Sequence, residues 1–220
     1  MAGQVRAGGH VLVKPATMVD PAAPLDVLEP ERYVSRGGYK LEAALREFAI
    51  ELDGRRCLDV GASTGGFTDC MLQHGAASVL AVDVGRAQLH QRLREDPRVT
   101  LWGHTNARDM PALPPLDFFA IDLSFISVRK VLPALHAGLR EPCEGIVLLK
   151  PQFELAPANI PAGGVIRDAE LRMSVAESFR SWLTGEHWRL HHLIDCPVSG
   201  GDGNVEFLAH VETPREQAAC

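Results

Sequence analysis

The sequence predicts an α/β fold, a doubly wound and mostly parallel sheet that ends in an antiparallel β-hairpin. Three observations support this prediction. Apolar strand-sized runs alternate with helical patterns over most of the chain, which is typical of parallel sheets. The strands are apolar almost throughout, as in Phe118–Ile121, which indicates that both faces of the sheet are covered. The last two strands are separated only by the glycine-rich turn Ser199–Gly203, which indicates a hairpin.

The elements follow one another in a regular order. Two short β-like runs, Val11–Val13 and Leu25–Leu28, flank a proline-rich turn near the start, and a helix begins at about Gly38. Further strands are predicted over Cys57–Val60, Ser78–Asp83, Val99–Trp102, Asp117–Leu123, Gly145–Lys150, Trp188–Asp195 and Asn204–Val211. Further helices are predicted over Gly66–His74, Arg86–Glu95, Val128–Leu139 and Ala169–Thr184. The long irregular segment Pro151–Val165 is expected to act as a lid over the RNA, with a surface loop of no special role as the alternative.

Composition excludes several classes of protein. The 220 residues suffice for one α/β core with little left over. No apolar run approaches the roughly 18 residues of a membrane helix, and the start lacks a secretion signal, so we expect a cytoplasmic protein. A formal net charge of −6 argues against a general nucleic-acid coat protein but permits a local basic face.

Cysteines and histidines do not predict a metal site. The five cysteines are dispersed without a CxxC pair, which indicates reduced thiols: Cys57, Cys70, Cys143, Cys196 and Cys220. His187, His191 and His192 lie in a strand-like run for which we expect no acidic or cysteine partner, so we expect no metal there.

A glycine-rich turn follows the first strand of the main sheet. Gly61, Gly65 and Gly66 permit a tight turn and a close approach of the backbone to a ligand, and the next helix starts there. Ligands in such sheets bind beyond the carboxyl ends of the strands. The candidate ligand-binding turn therefore comprises Asp59, Gly61, Ala62, Ser63, Thr64, Gly65, Gly66 and Phe67. The alternative is a strand–helix turn that needs glycine for its geometry alone.

Asp83 favours an adenosine ligand. It ends the second strand, where a carboxylate can accept hydrogen bonds from both ribose hydroxyls. The turn reads GxxxGG and not the GxGxxG that suits a pyrophosphate, which favours S-adenosylmethionine over NAD. Asp59 is then the candidate partner of the α-ammonium group. Asn106 is our choice for the adenine contact, with Arg108 and Asp109 as alternatives.

Five blocks in order resemble TlyA-type proteins, which are FtsJ-like ribosomal RNA 2′-O-methyltransferases, some of them labelled haemolysin A. The blocks are Tyr33–Leu41, Asp59–Phe67, Asp122–Ser127, Lys150–Glu154 and Gly203–Leu208, within a resemblance that runs from about Val5 to Val211. The resemblance implies a Rossmann-like class I methyltransferase domain with a seven-stranded sheet over residues 33–213, followed by a tail over 214–220. It also implies S-adenosylmethionine as cofactor and ribosomal RNA or ribosomal subunits as partner.

The family's catalytic Lys-Asp-Lys-Glu set falls on Lys40, Asp122, Lys150 and Glu206. The residues agree with that placement, because Asp122 and Lys150 each follow an apolar strand, where an unpaired charge is costly. A ribose 2′-hydroxyl must lose its proton to react, and an amine accepts a proton only in its neutral form, which burial and a second ammonium favour. We assign Lys150 as general base, Lys40 as the second cation, and the two carboxylates as orienting groups. A structural ion-pair network is the alternative.

Residues 1–32 resemble only the C-terminal half of an S4 RNA-binding domain, without its basic helical half, so we expect an S4 remnant there. The densest basic grouping supplies the candidate RNA contacts Arg32, Arg36, Arg55 and Arg56, although a solvated face balanced by acidic residues is the alternative. A small-molecule methyltransferase, a non-enzymatic RNA-binding remnant and a membrane-active haemolysin remain as other functions.

Overall fold

The computed structural model describes residues 5–8, 10–12, 17–20, 22–27, 31–85, 88–139, 142–200 and 203–214. The predictions for Val13, Leu28, Arg86 and Cys220, and for the tail beyond Pro214, lie outside these residues. The chain divides into two compact units, Met1–Arg32 and Tyr33–Cys220.

The first unit is a small antiparallel sheet. Its three strands are β1 (Val5–Ala7), β2 (His10–Val11) and β3 (Leu25–Val27), in the order β2-β1-β3. The strand β1 was not predicted.

The second unit contains the predicted seven-stranded sheet, in the order β6-β5-β4-β7-β8-β10-β9. Its strands are β4 (Arg56–Val60), β5 (Ser78–Val82), β6 (Val99–Trp102), β7 (Phe118–Ile121), β8 (Glu144–Leu149), β9 (Arg189–Asp195) and β10 (Phe207–Glu212). The five neighbouring strands β6, β5, β4, β7 and β8 are parallel, whereas β10 is antiparallel to both of its neighbours. The predicted fold class is confirmed.

Helices cover both faces of this sheet. They are α1 (Gly37–Glu47), α2 (Gly66–Gln73), α3 (Gln91–Arg94), α4 (Leu132–Gly138), α5 (Pro151–Glu154) and α6 (Ala169–Gly185). Alternate strand residues enter two separate cores: Phe118 packs with the residues of α1 and α2, and Phe119 packs with those of α4 and α6. The four described cysteines are buried free thiols, and burial raises the pKa of Cys57 and Cys143 to about 12. No helix among the described residues is long and apolar enough to cross a membrane.

Three predicted elements were wrong in extent. The helix predicted over Arg86–Glu95 is only the four residues of α3, with His90 as its N-cap. The helix predicted over Val128–Leu139 begins as a 3-10 turn, Val128–Lys130, and α4 starts afresh after Val131, because Pro133 fits only the first turn of a helix. The segment predicted to be irregular contains α5 and a second 3-10 turn, Pro157–Asn159, each starting at a proline.

Candidate active site

Polar residues gather at one edge of the large sheet. The parallel strands β4, β5, β7 and β8 all end there, so Gly61, Asp83, Asp122 and Lys150 follow the carboxyl ends of four strands of the same sheet. Glu206 precedes β10, and because β10 runs antiparallel to β8, its first residue pairs with the last residue of β8. The strand directions therefore bring Glu206 to the same edge.

Lys150 contacts two side chains beyond β7. Its Nζ lies 2.6 Å from Oδ1 of Asp122 and donates a hydrogen bond to Oγ of Ser124 at 3.1 Å. Lys150 is buried, with 9% of its surface exposed, whereas Asp122 is half-buried and Ser124 is exposed. An amine is thus held at the boundary between the core and a cleft.

Lys40 and Glu206 form a second, more deeply buried ion pair. Lys40 lies on α1, and its Nζ donates a hydrogen bond to Oε2 of Glu206 at 2.5 Å. The side chains are 8% and 3% exposed. The start of α1 also lies beside Asp122, because a Cβ built on Gly37 would come within 3.8 Å of Asp122 Oδ2. The four residues of the predicted tetrad thus form two ion pairs at one sheet edge.

The glycine turn walls a cleft of about 170 Å³. Asp122, Ser124 and Lys150 line it together with turn and α1 residues: Ser35, Gly37, Gly61, Ala62, Ser63, Thr64, Gly66 and Phe67. Gly61 has φ +89°, and a Cβ there would lie 2.3 Å from the backbone oxygen of Asp122. Only glycine permits this close approach of the two strand ends.

Asp59 lies below this cleft and has no exposed surface. Its Oδ2 accepts hydrogen bonds from the backbone N–H and the hydroxyl of Thr68, at 2.8 and 2.6 Å. Its Oδ1 is buried and finds no donor among the described residues. Burial, and then the nearby carboxylates, raise the pKa of Asp59 to about 7 against the hydrogen bonds from Thr68. Direct contact of Asp59 with a ligand stays a prediction.

Asp83 accepts two backbone hydrogen bonds next to the cleft. Its Oδ2 accepts the backbone N–H of Ser63 at 2.8 Å, and its Oδ1 accepts that of Gly85 at 2.6 Å. Ser63 lines the first cleft and Val84 lines a second, larger cleft of about 700 Å³. The carboxylate oxygens retain lone pairs that could accept ribose hydroxyls.

The second cleft adjoins the first at Ser124. Two of the candidate adenine contacts, Asn106 and Arg108, line it, whereas Asp109 is exposed outside its lining. Oδ1 of Asn106 accepts the backbone N–H of Arg108 at 3.1 Å. The cleft also presents Phe125, which is 91% exposed and whose ring centroid lies 5.2 Å from that of Phe153.

The candidate RNA contacts within the second unit lie at different places along the large sheet. Arg36 is exposed and precedes Gly37 of the cleft. Arg56 instead begins β4, about 13 Å from its carboxyl end at 3.3 Å per residue, and Arg55 directly precedes it. Nη1 of Arg55 pairs with Oε1 of Glu144 at 2.5 Å, and Arg56 donates two side-chain hydrogen bonds to Asp117. Contact of these arginines with RNA stays a prediction. Arg32 belongs to the first unit.

The prediction that the histidines lack an acidic partner was also wrong. Nε2 of His191 lies 3.2 Å from Oε2 of Glu212, and the ring of His192 stacks on Phe48. Within the described ranges no group of three metal-ligating side chains converges.

Sequence reasoning missed two residues that contact the site. Ser35 lines the first cleft beside Gly66, and Ser124 is a hydrogen-bond partner of Lys150. Ser124 stands in the block Asp122–Ser127, two residues from Asp122, and that proximity was the one available indication.

Comparison with known proteins agrees with this geometry. A sequence model of FtsJ-like methyltransferases matches residues 33–213. The chain belongs to the FtsJ-like methyltransferase family. The 16S/23S rRNA (cytidine-2′-O)-methyltransferase TlyA of Mycobacterium tuberculosis is 44% identical over 227 residues, which cover 99% of this chain and 83% of that protein. A solved structure of a candidate hemolysin from Streptococcus thermophilus is 39% identical with a TM-score of 0.81, over 99% of this chain and 82% of that one.

More distant structures share the fold of this FtsJ-like protein. An S-adenosylmethionine-dependent methyltransferase from Mesorhizobium loti is 18% identical, with a TM-score of 0.57 over 79% of this chain and 97% of that one. The resemblance and the enzyme class predicted from the sequence are confirmed. Family and fold imply S-adenosylmethionine as cofactor, and the site fits it: Oδ1 of Asp59 is buried with no donor among the residues described, and the wall of the cleft requires glycine at position 61.

Proposed function

We propose that this FtsJ-like methyltransferase methylates a ribose 2′-hydroxyl of ribosomal RNA, with Lys150 as the general base. The observation that carries the proposal is the position of Lys150 Nζ, between the carboxylate of Asp122 and the hydroxyl of Ser124 at the mouth of the glycine-walled cleft. The printed name of the relative from Mycobacterium tuberculosis supports the acceptor class.

The donor is assigned to the first cleft and the neighbouring part of the second. S-adenosylmethionine supplies an electrophilic methyl group when it is bound. We assign its amino-acid portion to the turn from Gly61 to Phe67 above Asp59, its ribose to Asp83, and its adenine to the side of Asn106. The unpartnered Oδ1 of Asp59 favours a cation nearby, because a cation would satisfy a buried acceptor and stabilise its charge.

In this proposal the four charged residues act together to remove one proton from the 2′-hydroxyl. Lys150 Nζ, in its neutral form, takes the proton of the 2′-hydroxyl, and Asp122 stabilises the ammonium that results. Lys40 supplies the second positive charge of the site, and Glu206 holds Lys40 in place. Ser124 orients the amine toward the cleft.

We assign RNA contact to the first unit, as an S4 remnant, and to Arg36 beside the cleft. The main domain would then be residues 33–213, the range that the family match covers. The first unit is a three-stranded sheet compatible with a partial RNA-binding module, and Arg36 is an exposed cation next to a cleft-lining residue. Arginine is well suited to pair with phosphate.

Lys150→Ala tests the general base. The protein is incubated with labelled S-adenosylmethionine and with separate ribosomal subunits or naked ribosomal RNA, and 2′-O-methyl positions are mapped. We expect the variant to lose at least about 100-fold in kcat while it binds S-adenosylmethionine almost normally, because the base acts in the transition state. Lys150→Arg is the matched variant and should not restore turnover, because a guanidinium retains its proton.

Substantial methylation by Lys150→Ala would remove Lys150 from this role. Methyl transfer to small hydroxyl compounds, with none to ribosomal RNA or subunits, would replace the RNA substrate with a small molecule. Arg180→Ala, an exposed change on α6, serves as the control for handling and folding.

A further inference from the structure

Glu154 is a buried carboxylate that stands apart from the predicted tetrad. It ends the short helix α5, four residues after Lys150, and its side chain is 1% exposed. Its Oε2 accepts a hydrogen bond from the hydroxyl of Ser127 at 2.6 Å, and its Oε1 accepts one from the backbone N–H of Val128 at 2.8 Å. Both partners belong to the chain that leaves β7. Glu154 therefore links α5 to that segment.

The same two segments carry the proposed acid–base pair. Residues 122–127 follow β7 and contain Asp122 and Ser124, while residues 150–154 follow β8 and begin with Lys150. Lys150 contacts Asp122 and Ser124 at one end, and Glu154 contacts Ser127 at the other. The segments are thus joined at both ends, and the second joint lies away from the reacting groups.

The link requires a definite geometry because the Glu154 carboxylate is buried. Burial raises the pKa of Glu154, against the hydrogen bonds from Ser127 and Val128 and the charges of Arg129 and Lys130. Nε of Arg129 lies 3.3 Å away, although its guanidinium donates instead to Ser178 Oγ through Nη2 at 3.1 Å. A buried carboxylate is costly unless its hydrogen bonds are made, so these bonds hold Glu154 to one geometry.

We propose that Glu154 is a positioning residue for methyl transfer: it clamps the segment after β8 to the segment after β7 and so holds Lys150 Nζ against Asp122 and Ser124. This inference rests on the proposed function, in which Lys150 is the base. A displacement of about 1 Å at a reacting group can lower a rate by about 100-fold, so a clamp outside the reacting groups can govern turnover.

Three variants separate the clamp from the charge. Glu154→Ala removes both hydrogen bonds, and we expect kcat to fall about 10- to 100-fold with the dissociation constant for S-adenosylmethionine within about twofold of wild type. Glu154→Gln keeps the clamp without the charge, because its amide oxygen accepts from Val128 and its amide group donates to the Ser127 hydroxyl; kcat should stay within about threefold. Ser127→Ala removes one bond, and its kcat should lie between the two.

The control variant is Ser178→Ala. It removes the hydrogen bond that holds Arg129 from the side of α6, and so loosens the same 3-10 turn while both hydrogen bonds of Glu154, with Ser127 and Val128, stay in place. We expect wild-type kcat for it. The split between kcat and donor affinity is the second readout: in Glu154→Ala kcat should fall while the dissociation constant for S-adenosylmethionine stays near that of wild type.

The outcomes distinguish this inference from the proposed function. Wild-type kcat in Glu154→Ala, in a preparation where Lys150→Ala is inactive, overturns the clamp and leaves the base assignment intact. Equal losses in Ser178→Ala and Ser127→Ala overturn it too, because they indicate general loosening. If Glu154→Ala does not fold, Ser127→Ala and Glu154→Gln still decide. An active Lys150→Ala overturns the proposed function itself.

Discussion

The buried carboxyl group of Asp59 makes the stability of the folded protein depend on pH. Its folded-state pKa of about 7 lies above the ordinary value of 3.8. Between about pH 4 and pH 7 the folded protein therefore holds a proton that the unfolded chain has lost. The free energy of unfolding contributed by this group falls as pH rises through that window, by at most about 1.4 kcal/mol per pH unit.

Asp59→Asn should flatten this part of the stability profile, because an amide does not titrate. Denaturant unfolding at half-unit steps from pH 4 to pH 8 measures the slope. Asp117→Asn is the contrasting control, since Arg56 lowers the pKa of Asp117 to about 2, outside this window. An equal slope in wild type and Asp59→Asn would show that Asp59 does not carry the effect.

Asp83 is the residue to which we assign the donor's ribose. Asp83→Ala should weaken S-adenosylmethionine binding by about 1–3 kcal/mol, the usual loss for hydrogen bonds to a charged group. Part of that loss comes through Ser63, whose backbone N–H loses its acceptor. Calorimetry checks the affinity, with the exposed carboxylate change Glu177→Ala as the control for charge. Unchanged affinity in folded Asp83→Ala would take Asp83 out of the site.

At the scale of elements, the contact between the starts of α1 and α2 sets the shape of the cleft. A Cβ at Gly66 would lie 2.3 Å from Ser35 Oγ and 2.9 Å from the backbone nitrogen of Gly38. Gly66→Ala should therefore push the two helices apart and cost about 1–3 kcal/mol of stability. Thermal unfolding and donor affinity should both decline, whereas Gly185→Ala, where a Cβ meets nothing within 4 Å, should change neither. A Gly66→Ala protein as stable as wild type would refute this packing argument.

The elements were predictable where one local pattern decides them. The strands β4, β5, β7 and β8 are short apolar runs, and their burial on both faces is predictable from residue type alone. The prediction of one continuous helix over Val128–Leu139 was wrong because Pro133 interrupts an otherwise helical spacing. The hydrogen bond of Glu154 with Ser127 was not predictable, because it depends on how two strand ends meet in space and on no spacing within either segment.

The RNA contacts stay a prediction, and the structure separates two of the candidates. Arg36 and Arg55 stand close in the chain, yet α1 runs between them, and Arg55 lies next to the start of β4, away from the cleft. The density of basic residues in the sequence therefore does not tell which of them lie near the cleft. The blocks Asp122–Ser127 and Lys150–Glu154 could be placed at the sheet edge because each directly follows an apolar strand.

At the scale of the whole molecule, this placement gives a prediction about RNA binding. Arg36→Glu should weaken binding to ribosomal RNA and reduce by about one the slope of log affinity against log salt, as expected for one lost phosphate contact. Arg55→Glu, which breaks only the pair with Glu144, should bind RNA as wild type does. Filter binding across a salt series compares them. Equal losses of RNA affinity in both variants would contradict this prediction, because Arg55 would then contact RNA as well.

The buried pair of Lys40 and Glu206 spans 166 residues of chain. During synthesis Lys40 leaves the ribosome long before Glu206. The ion pair can therefore form only after β9 and β10 have joined the sheet. Closing so long a loop is slow, and it comes late in any folding order that starts from local contacts. The cleft lined by residues between 35 and 150 can form earlier. A nascent chain would thus complete this cleft first and the pair of Lys40 and Glu206 last.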